Sequence, residues 1–579
     1  MQTVDVTTLY AICAELKQEW VPARLEQVYQ CDRHTIAIAL RTLKKRGWLL
    51  ISWHPQAARI CITTPPPRVP DTFTFSQQLK HQLGGLALVS ITPLAPWERA
   101  LDLQFARRPG DPILWHVYVE IMGKYSNVIL TNNHNQIVTA AHQVGNQQSS
   151  VRLIQTGQAY TPPPPLTDAT PLRDESQADW QARVGLVPKD IWKNLLQTYR
   201  GVSPTLAKEM ARIAGLDPTQ SSDTLTPADW TQLFEKWQDW LEAIAQEQFK
   251  PTKLENGYSV MGWTPGSPAF STQKLIDEYY TSHLNRDLFR QLHHQLQQKL
   301  RILIKKLNVK VADFQKRLHK SDGAEQYRER ADLLMAYLHE WTPGLPQITL
   351  TDFVTGEPTS ITLDPTKNAV QNAQALYKRH QKLKRSRQAI EPLLNTALDE
   401  LHYLQQVENA IAQQETYRQP DDLTLLTQVK LELINQGYLD GDLARQPKSN
   451  EKIVFHSYRS PSGFEILVGR NNNQNDHLTF KVATDYDIWF HTQEIPGSHV
   501  LLRLPAGSVA EDDDLQFTAD IAAYHSRARQ SDQAPVIYTH PQQVFKPKGA
   551  RPGMVIYKGE TVIWGYPQQG KSSIQTDET

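Results

Sequence analysis

Apolar residues recur at steps of three and four through the middle of the chain, over more turns than an ordinary globular helix needs. They are Leu296, Leu300, Leu303, Leu307, Val311, Phe314 and Leu318. This spacing predicts a long helix whose apolar seam requires a partner helix. A second helix is predicted from about Ala369 past Ile411. Its own apolar stripe contains Ile390, Leu394, Leu398, Leu401 and Leu404.

The two helices are expected to form an antiparallel coiled-coil hairpin over residues 276–420. The segment between them, GLPQITLTDFVTGEPTSITLDP, has glycine and proline turns between alternating strands. That pattern is typical of a small inserted domain, which we predict at about 322–366. The hairpin can serve as a rigid spacer, or it can carry a binding surface near its tip.

The formal net charge is zero, so the whole-chain value gives no indication of a nucleic-acid partner. Basic residues nevertheless concentrate on both arms of the hairpin. The first arm contains Lys299, Arg301, Lys305, Lys306, Lys310, Lys316, Arg317 and Lys320 against the single acid Asp313. The second, from 366 to 390, contains Lys367, Lys378, Arg379, Lys382, Lys384, Arg385 and Arg387 and no acid. This segregation predicts a surface that faces a polyanion such as RNA.

Residues 1–160 contain short alternating runs such as TIAIAL and GWLLISWH, which predict an α+β domain rich in strands. A proline-rich linker, TPPPPLTDATP, leads to a predicted helical domain at 175–270. Within it, two amphipathic helices flank Gly201, and Ser203 before Pro204 is a favourable N-cap. The pair resembles a helix-hairpin-helix, although a purely structural helix pair fits equally well.

A compact α+β domain is predicted at 450–568, after a polar linker that ends near Asn450. Its strands are separated by predicted turns at 462–463 and 471–475. DLQFTADIAAYHSRARQS is predicted to be a helix, and KPKGARPGMVIYKGETVIWG a strand hairpin. The tail, 569–579, is expected to be disordered.

Composition and motifs argue against several kinds of protein. Cys13, Cys31 and Cys61 have no C-x-x-C spacing, so we expect a reducing cytoplasm and neither a disulfide framework nor a zinc ribbon. No apolar stretch approaches the roughly 20 residues of a membrane span, and the N-terminus does not resemble a secretory signal. No nucleophile–base pair or phosphate-binding glycine loop stands out, so no enzyme and no cofactor is predicted. His491 and His499 lack a convincing third ligand, so no metal is predicted either.

Three blocks of the sequence resemble one known family. HVYVEIMGKYSNVIL contains Glu120, Ile121 and Met122. LDPTKNAVQNAQALYKRHQKLKR contains Lys378, Arg379, Lys382, Lys384 and Arg385. GFEILVGRNNNQNDHLTFKVATDYDIWFHTQEIPGSHVLLR contains Arg470, Asn471, Asn475, Asp476, Trp489, His491, Ser498 and His499. In this order, and over nearly the whole chain, the blocks resemble the NFACT family, formerly described as fibronectin-binding proteins.

The resemblance implies an NFACT-N domain, a helix-hairpin-helix-like domain, a coiled-coil hairpin with a tip, and an NFACT-R RNA-binding domain. It also implies a function. Such proteins bind large (50S) ribosomal subunits and their rRNA while a stalled peptidyl-tRNA remains there, and they recruit tRNA, which is alanyl-tRNA in bacteria. They promote addition of a C-terminal tail without mRNA, and the ribosome makes the peptide bonds. The resemblance therefore implies a cytoplasmic, non-enzymatic protein that acts as a monomer on the subunit, without a membrane partner.

The family's N-terminal domain carries an Asp-Arg pair linked to tRNA handling, and the matching residues here are Glu98 and Arg99. Arg99 can still donate to a phosphate or a base edge. The Glu98 carboxylate, however, lies one methylene further from the backbone, which makes tailing less certain than subunit binding. The resemblance assigns tRNA handling to Glu98, Arg99, Glu120, Ile121 and Met122. It assigns subunit binding to the basic residues of the second block and RNA binding to those of the third.

Structural alternatives remain open for these residues. Glu98 and Arg99 can be an ordinary surface ion pair, and Glu120 can be a partnered acid in an apolar strand. Trp489 and Phe490 can fill a core instead of stacking on bases. The main functional alternative is a family member that binds subunits or tRNA without tailing. An extracellular-matrix adhesin would need export, and a DNA glycosylase of the formamidopyrimidine type would need a proline nucleophile next to the initiator methionine.

Overall fold

The computed structural model is a mixed α+β chain that divides at Asp287 and Leu288 into two compact units. It describes residues 1–66, 71–145, 147, 152–164, 167, 169–441 and 453–571. The end of the predicted linker near Asn450 and most of the predicted disordered tail lie outside the described residues. Within these ranges, no helix combines the length and the apolar character that a membrane span requires.

The first unit is built on a nine-stranded antiparallel sheet with the strand order β4-β3-β2-β1-β5-β6-β7-β8-β9. The strands are β1 (Ala23–Asp32), β2 (Thr35–Arg41), β3 (Arg46–Ser52), β4 (Arg59–Thr63), β5 (Ala87–Pro93), β6 (Ala100–Ala106), β7 (Trp115–Glu120), β8 (Asn127–Asn132) and β9 (Ile137–Ala140). Consecutive strands are neighbours almost throughout, so residues at adjacent strand ends are brought together.

Helix α1 (Val6–Trp20) precedes this sheet, where the sequence patterns predict no element. Asp5 caps the helix by accepting a hydrogen bond from the Thr8 amide at 2.8 Å. Leu9 and Leu16 are buried in the core under the sheet. The first turn also buries two β-branched threonines, so the buried face is not the clean apolar stripe that predicts a helix.

Four helices follow the N-terminal sheet and its short helix α2 (Thr74–Leu83): α3 (Gln177–Val184), α4 (Ile191–Thr198), α5 (Pro204–Ile213) and α6 (Pro227–Ala245). Ser203 caps α5 by accepting from the Leu206 amide at 3.1 Å, as the sequence predicts. Gly201 has φ +76°, and a Cβ there would lie 2.9 Å from the Trp97 ring, so this turn requires glycine.

The prediction of a wholly helical domain up to residue 270 is wrong in its last part. A small antiparallel sheet follows α6, with β10 (Thr252–Leu254), β11 (Gly257–Ser259) and β12 (Ser267–Pro268). Strands of two or three residues are too short to show an alternating pattern in the sequence.

The two long helices are α7 (Thr272–His319) and α9 (Ala369–Ala412). They run antiparallel, because His293 lies 3.3 Å from the Ile411 carbonyl at one end and Arg387 donates to Asp322 at 3.0 Å near the other. The buried seam includes Leu296, Leu300, Leu307, Val311, Leu394, Leu401 and Leu404. Between the helices lie α8 (Ala324–Ala336), β13 (Gln347–Thr351) and β14 (Pro358–Thr362), which share a separate small core.

The prediction of a polar linker after residue 420 is wrong over its first half, which forms helix α10 (Pro420–Asn435). Asp422 accepts hydrogen bonds from the amides of Arg418 and Gln419 at 2.8 and 3.0 Å, which satisfies donors at the start of the helix. Leu426 and Leu433 are buried in the same core as the hairpin seam. The packed apolar residues explain why this polar-looking segment is ordered as a helix.

The C-terminal domain is built on a six-stranded sheet with the order β15-β16-β18-β17-β19-β22. Its strands are β15 (His456–Arg459), β16 (Glu465–Val468), β17 (Ile488–Thr492), β18 (Val500–Leu502), β19 (Ala534–Thr539) and β22 (Thr561–Gly565). A separate two-stranded sheet pairs β20 (Val544–Phe545) with β21 (Ile556–Tyr557). The predicted helix is α12 (Asp512–Tyr524), and it packs against the larger sheet.

Two predictions for this domain are wrong. Residues 471–475 do not form a turn, because helix α11 (Asn472–His477) begins there, and Asn471 caps it by accepting from the Gln474 amide at 2.9 Å. The predicted hairpin of the last two strands does not form either. Instead β21 pairs with β20, and β22 pairs with β19. Sequence patterns indicate strands but leave non-local pairing open.

Candidate nucleic-acid interface

The N-terminal residues assigned to tRNA handling meet at the ends of two neighbouring strands, β6 and β7, inside the nine-stranded sheet. Glu98 and Arg99 lead into β6, and Ile121 follows the end of β7. Ala100 pairs with Glu120 across these strands. The Ile121 amide donates to the Arg99 carbonyl at 2.8 Å, which fixes the two segments side by side.

Glu120 is a buried acid with a full set of partners. Its carboxylate accepts from both terminal nitrogens of Arg152, at 2.5 and 2.9 Å, and from the Tyr160 hydroxyl at 2.8 Å. Ile121 is buried next to it, whereas Met122 is half-buried. The contacts of Glu120 favour the alternative that it is a structural acid with internal partners. Contact of Glu120, Ile121 or Met122 with RNA stays a prediction. Sequence reasoning missed Arg152 and Tyr160, which lie far from Glu120 along the chain.

Glu98 and Arg99 are both half-buried beside a third charge, Arg200, from the turn between α4 and α5. Burial raises the pKa of Glu98, and the charges of Arg200 and Arg99 oppose that rise. Trp97 connects the two segments, since its ring contacts Gly201 and lies 5.1 Å from that of Trp240. The predicted pair, Glu98 and Arg99, therefore belongs to a group of three charged side chains that also includes Arg200. The sequence patterns did not identify Arg200 as a member of this group.

The basic residues of the second hairpin arm all face solvent. Lys378, Arg379, Lys382, Lys384 and Arg385 are exposed on α9. The Arg379 guanidinium lies 4.8 Å from the centre of the Tyr327 ring. In the part of the chain that the structure describes, none of the five forms an ion pair with an acid. Unpaired, exposed cations on a rigid helix are suited to contact phosphates.

The C-terminal residues assigned to RNA binding are mostly internal. Those that are buried are Arg470, Asn471, Asn475, Trp489, Ser498 and His499. The Thr479 hydroxyl accepts from the Trp489 indole at 3.0 Å and lies 2.7 Å from His499 Nδ1. Asp476 is partly exposed and pairs with Lys546. The burial of Trp489 and Phe490 favours the core alternative, and an RNA-binding role for this set stays a prediction.

Two histidines of this set are held neutral by burial. Burial lowers the pKa of His491 to about 4 and that of His499 well below its usual value. Among the described residues, no three histidine, cysteine, aspartate or glutamate side chains form a group that can hold a metal ion. Both imidazoles are therefore uncharged at neutral pH.

Arg470 and Glu432 connect helix α10 to the C-terminal domain. Arg470 donates to Asp422 at 2.8 Å, and the two side chains are 4% and 6% exposed. Glu432 accepts from Tyr403 at 2.9 Å, from Asn472 at 3.0 Å and from Asn473 at 3.1 Å. Sequence reasoning missed the roles of Asp422 and Glu432. Pro420 at the first helical position, with acids in the first turn, is the signal that could have found the helix.

Glu432 makes the stability of this junction depend on pH. Burial raises its pKa to about 7, against the hydrogen bonds from Asn472 and Tyr403. The folded state therefore binds this proton more tightly than the unfolded chain, in which a glutamate titrates near about 4.3. The resulting stabilisation is complete below that pH and is lost as the pH rises through about 7, by up to about 3 kcal/mol.

We expect Glu432→Gln to remove this part of the pH dependence, because the amide does not ionise. Urea-unfolding midpoints of the wild type and the variant, measured at pH 5 and pH 8, test the expectation. Glu415→Gln, at an exposed acid, is the control and should keep the wild-type dependence. If the urea midpoint falls by the same amount from pH 5 to pH 8 in the wild type and in Glu432→Gln, the pH dependence does not come from Glu432.

Sequence models of one protein family match nearly the whole chain. The model described as "NFACT N-terminal and middle domains" matches residues 5–452. The model described as "NFACT protein RNA binding domain" matches residues 454–565. The two matches follow each other along the chain, and the second covers the six-stranded sheet with α11 and α12.

Individual known proteins are similar over the same length. "Rqc2 homolog RqcH" of Bacillus subtilis (strain 168) is 30% identical over 579 residues, which is 96% of this chain and 97% of that protein. "Rqc2 homolog RqcH" of Streptococcus suis (strain 05ZYH33) is 29% identical, over 97% of this chain and 98% of that protein. A solved structure of the C-terminal part of the fibronectin/fibrinogen-binding protein from Streptococcus suis matches 49% of this chain and 98% of that structure, with 27% identity and a TM-score of 0.37.

Proposed function

Because the chain belongs to the NFACT family, we propose that it is a ribosome-associated quality control factor that binds obstructed large ribosomal subunits. These subunits hold a stalled peptidyl-tRNA. The factor recruits tRNA to them, alanyl-tRNA in a bacterium, for addition of a C-terminal tail without mRNA. It works in the cytoplasm as a monomer on the subunit.

The observation that carries this proposal is the exposed basic face of α9, in a chain of zero net charge. Cations that have no acidic partner keep their full attraction for phosphates, and binding then releases counterions from the RNA. The tRNA-handling group combines Glu98 and Arg99, which precede β6, with Arg200 from the turn between α4 and α5. In this function the protein positions tRNA and the ribosome supplies peptidyl transfer, so the protein itself needs no catalytic group.

Sedimentation of the purified protein with large subunits tests the proposal. Subunits that carry peptidyl-tRNA should bring the protein into the large-subunit fraction, and the bound fraction should fall steeply as salt rises. Small subunits, at the same concentration, are the control. Equal binding to small subunits, or binding that salt does not weaken, would argue against a specific role on the large subunit.

We expect Glu98→Ala with Arg99→Ala to reduce tRNA recruitment about tenfold or more, because charged hydrogen bonds to RNA are lost. Subunit binding should remain, since the basic arm is untouched. The tRNA bound to subunit–protein complexes is the quantity to measure. Asp111→Ala with Arg108→Ala removes an exposed acid and base from another turn of the same sheet and is the matched control. Loss of subunit binding with tRNA still bound would refute the assignment.

The second candidate is a family member that binds subunits without tailing, and Glu98 is the observation that favours it. The longer side chain is half-buried and interacts with Arg200 and Arg99, so its carboxylate lies further from the backbone than that of a family aspartate. Glu98→Asp distinguishes the two functions. Tailing by the wild type supports the first candidate, whereas tailing only by the aspartate variant supports the second.

A further inference from the structure

A cleft of about 420 Å³ lies where the chain from Gln413 to Asp422 meets the C-terminal domain. We call it the hairpin-base cleft. The C-terminal domain lines it with His456, Tyr458, Arg470, Tyr524, His525 and Arg529. Its volume lies within the range of small-molecule sites, about 300–1,000 Å³, and exceeds what a single inorganic ion needs. Among the lining residues, Arg470 comes from the third block of family resemblance, and the others lie outside the three blocks.

Guanidinium groups outnumber acids among the described side chains that line the cleft. Arg418, Arg470 and Arg529 line it, against the acids Glu415 and Asp422. Both carboxylate oxygens of Asp422 are already used, one by Arg470 and the other by two backbone amides. Glu415 is exposed to solvent, where its charge is screened. An anion that enters the cleft therefore meets the Arg529 guanidinium, and the buried acid of the described lining, Asp422, is already partnered.

A hydrogen-bonded framework preforms one wall of the cleft. The Gln413 side-chain amide donates to the His525 carbonyl at 2.7 Å, so its oxygen faces His525 Nδ1 at 3.2 Å. His525 Nδ1 must then carry the proton, and Nε2 accepts from the Tyr458 hydroxyl at 2.9 Å. Burial keeps the pKa of His525 well below its usual value, which fits this neutral form. A ligand does not have to order these groups when it binds.

Flat side chains dominate the remaining surface. The Arg529 guanidinium lies over the Tyr524 ring, 4.3 Å from its centre. The His456 ring stacks near His525, with 5.3 Å between the ring centres and 29° between the planes. Arg470 is 5% exposed, and its Nε has no hydrogen-bond partner among the described residues. Guanidinium planes beside aromatic rings are the surfaces on which proteins stack unpaired bases.

We propose that the hairpin-base cleft binds one unpaired nucleotide of an RNA strand, with its phosphate at Arg529 and its base against the flat side chains. The choice of RNA as the source rests on the proposed function. The cleft itself combines the Arg529 cation with stacking surfaces, and that combination fits a nucleotide better than a peptide, which would need apolar pockets or an exposed strand edge.

Calorimetric titration of the full chain with adenosine 5′-monophosphate, uridine 5′-monophosphate and inorganic phosphate tests the proposal. Both nucleotides should saturate a single site, and inorganic phosphate should bind more weakly than either. Arg529→Gln should weaken nucleotide binding about tenfold, because one charged hydrogen bond and one stacking plane are lost. Arg527→Gln, two residues away and exposed, is the matched control and should bind as the wild type does. If Arg529→Gln does not fold, Arg529→Lys provides the test, because it keeps the charge but loses the stacking plane and should also weaken nucleotide binding.

Absence of nucleotide binding, phosphate binding as tight as nucleotide binding, or undiminished binding by Arg529→Gln would each overturn the proposal. Large-subunit sedimentation of the same preparations separates this outcome from failure of the proposed function. Wild-type protein that sediments with subunits but binds no nucleotide would refute the cleft proposal alone. Protein that binds nucleotides through Arg529 but not subunits would refute the ribosomal function and leave the cleft as a nucleotide site.

Discussion

Reversing four charges on α9, with Lys378→Glu, Lys382→Glu, Lys384→Glu and Arg385→Glu, is expected to weaken association with large subunits on the order of a hundredfold at low salt. All four side chains are exposed and none contributes to the hairpin seam, so the helix should still form. The reversed charges repel phosphates and no longer release counterions. The slope of log affinity against log salt should become shallower by about 3.

The matched control keeps the charge by changing Lys378, Lys382 and Lys384 to arginine. It should bind subunits as the wild type does, because an electrostatic contact to phosphate does not depend on the shape of the cation. Sedimentation across a salt series measures both quantities. Unchanged sedimentation of the glutamate variant would show that this arm does not contact the subunit, and loss of binding by the arginine variant would show that the contact is not simply electrostatic.

Asp422→Ala is expected to destabilise the junction between α10 and the C-terminal domain by about 3–5 kcal/mol. The change leaves Arg470 buried with an uncompensated charge and removes the acceptor for two amides at the start of α10. Hydrogen exchange of the intact chain, read by mass spectrometry, measures the effect locally. Amides of α10 and α11 should exchange faster by a factor on the order of a hundred or more, whereas those of the nine-stranded sheet should not change.

Asp421→Ala is the control for this prediction. Asp421 is the neighbouring acid in the same helical turn, but it is exposed and forms no ion pair among the described residues. Its loss should change exchange little, because only a favourable interaction with the helix dipole is removed. Equal protection of α10 and α11 in both variants would show that the Arg470–Asp422 pair does not hold the junction.

The long helices show what could be predicted from the sequence. Leu296 to Val311 and Leu394 to Leu404 repeat the same spacing over many turns, and a helix with such a seam has to be covered by a partner. The strands around TIAIAL and GWLLISWH were predictable for the same reason, because the period of two is sustained through β2 and β3.

Helices α10 and α11 show where sequence patterns are insufficient. Helix α11 has six residues, all polar or charged, so it has no apolar period to detect. Tertiary hydrogen bonds hold its start instead. The capping Asn471 donates to Gln428 of α10, and Asn472 donates to Glu432. Asparagine-rich segments favour turns in isolation, and these partners override that preference. The predictions for 471–475 and for the linker were therefore wrong at the same junction, for one physical reason.

The candidate site was predicted in part. Glu98 and Glu120 lie at facing ends of consecutive antiparallel strands, so their proximity follows from the order of β6 and β7. Arg200 reaches the same group from a different part of the chain through the contact of Trp97 with Gly201, which no local pattern reveals. The hairpin-base cleft was likewise beyond local patterns, because its lining comes from the segment between α9 and α10, from the first turn of α10 and from the C-terminal domain.

The most direct test of the central claim is a tagged pull-down from cells, with the bound RNA sequenced and the bound particles separated on a gradient. The proposed function predicts large-subunit rRNA together with one or two enriched tRNA species. Recovery of large subunits without selective enrichment of a tRNA would favour the second candidate, a family member that does not add C-terminal tails. Recovery of no ribosomal RNA at all would contradict the assignment of this chain to ribosome-associated quality control.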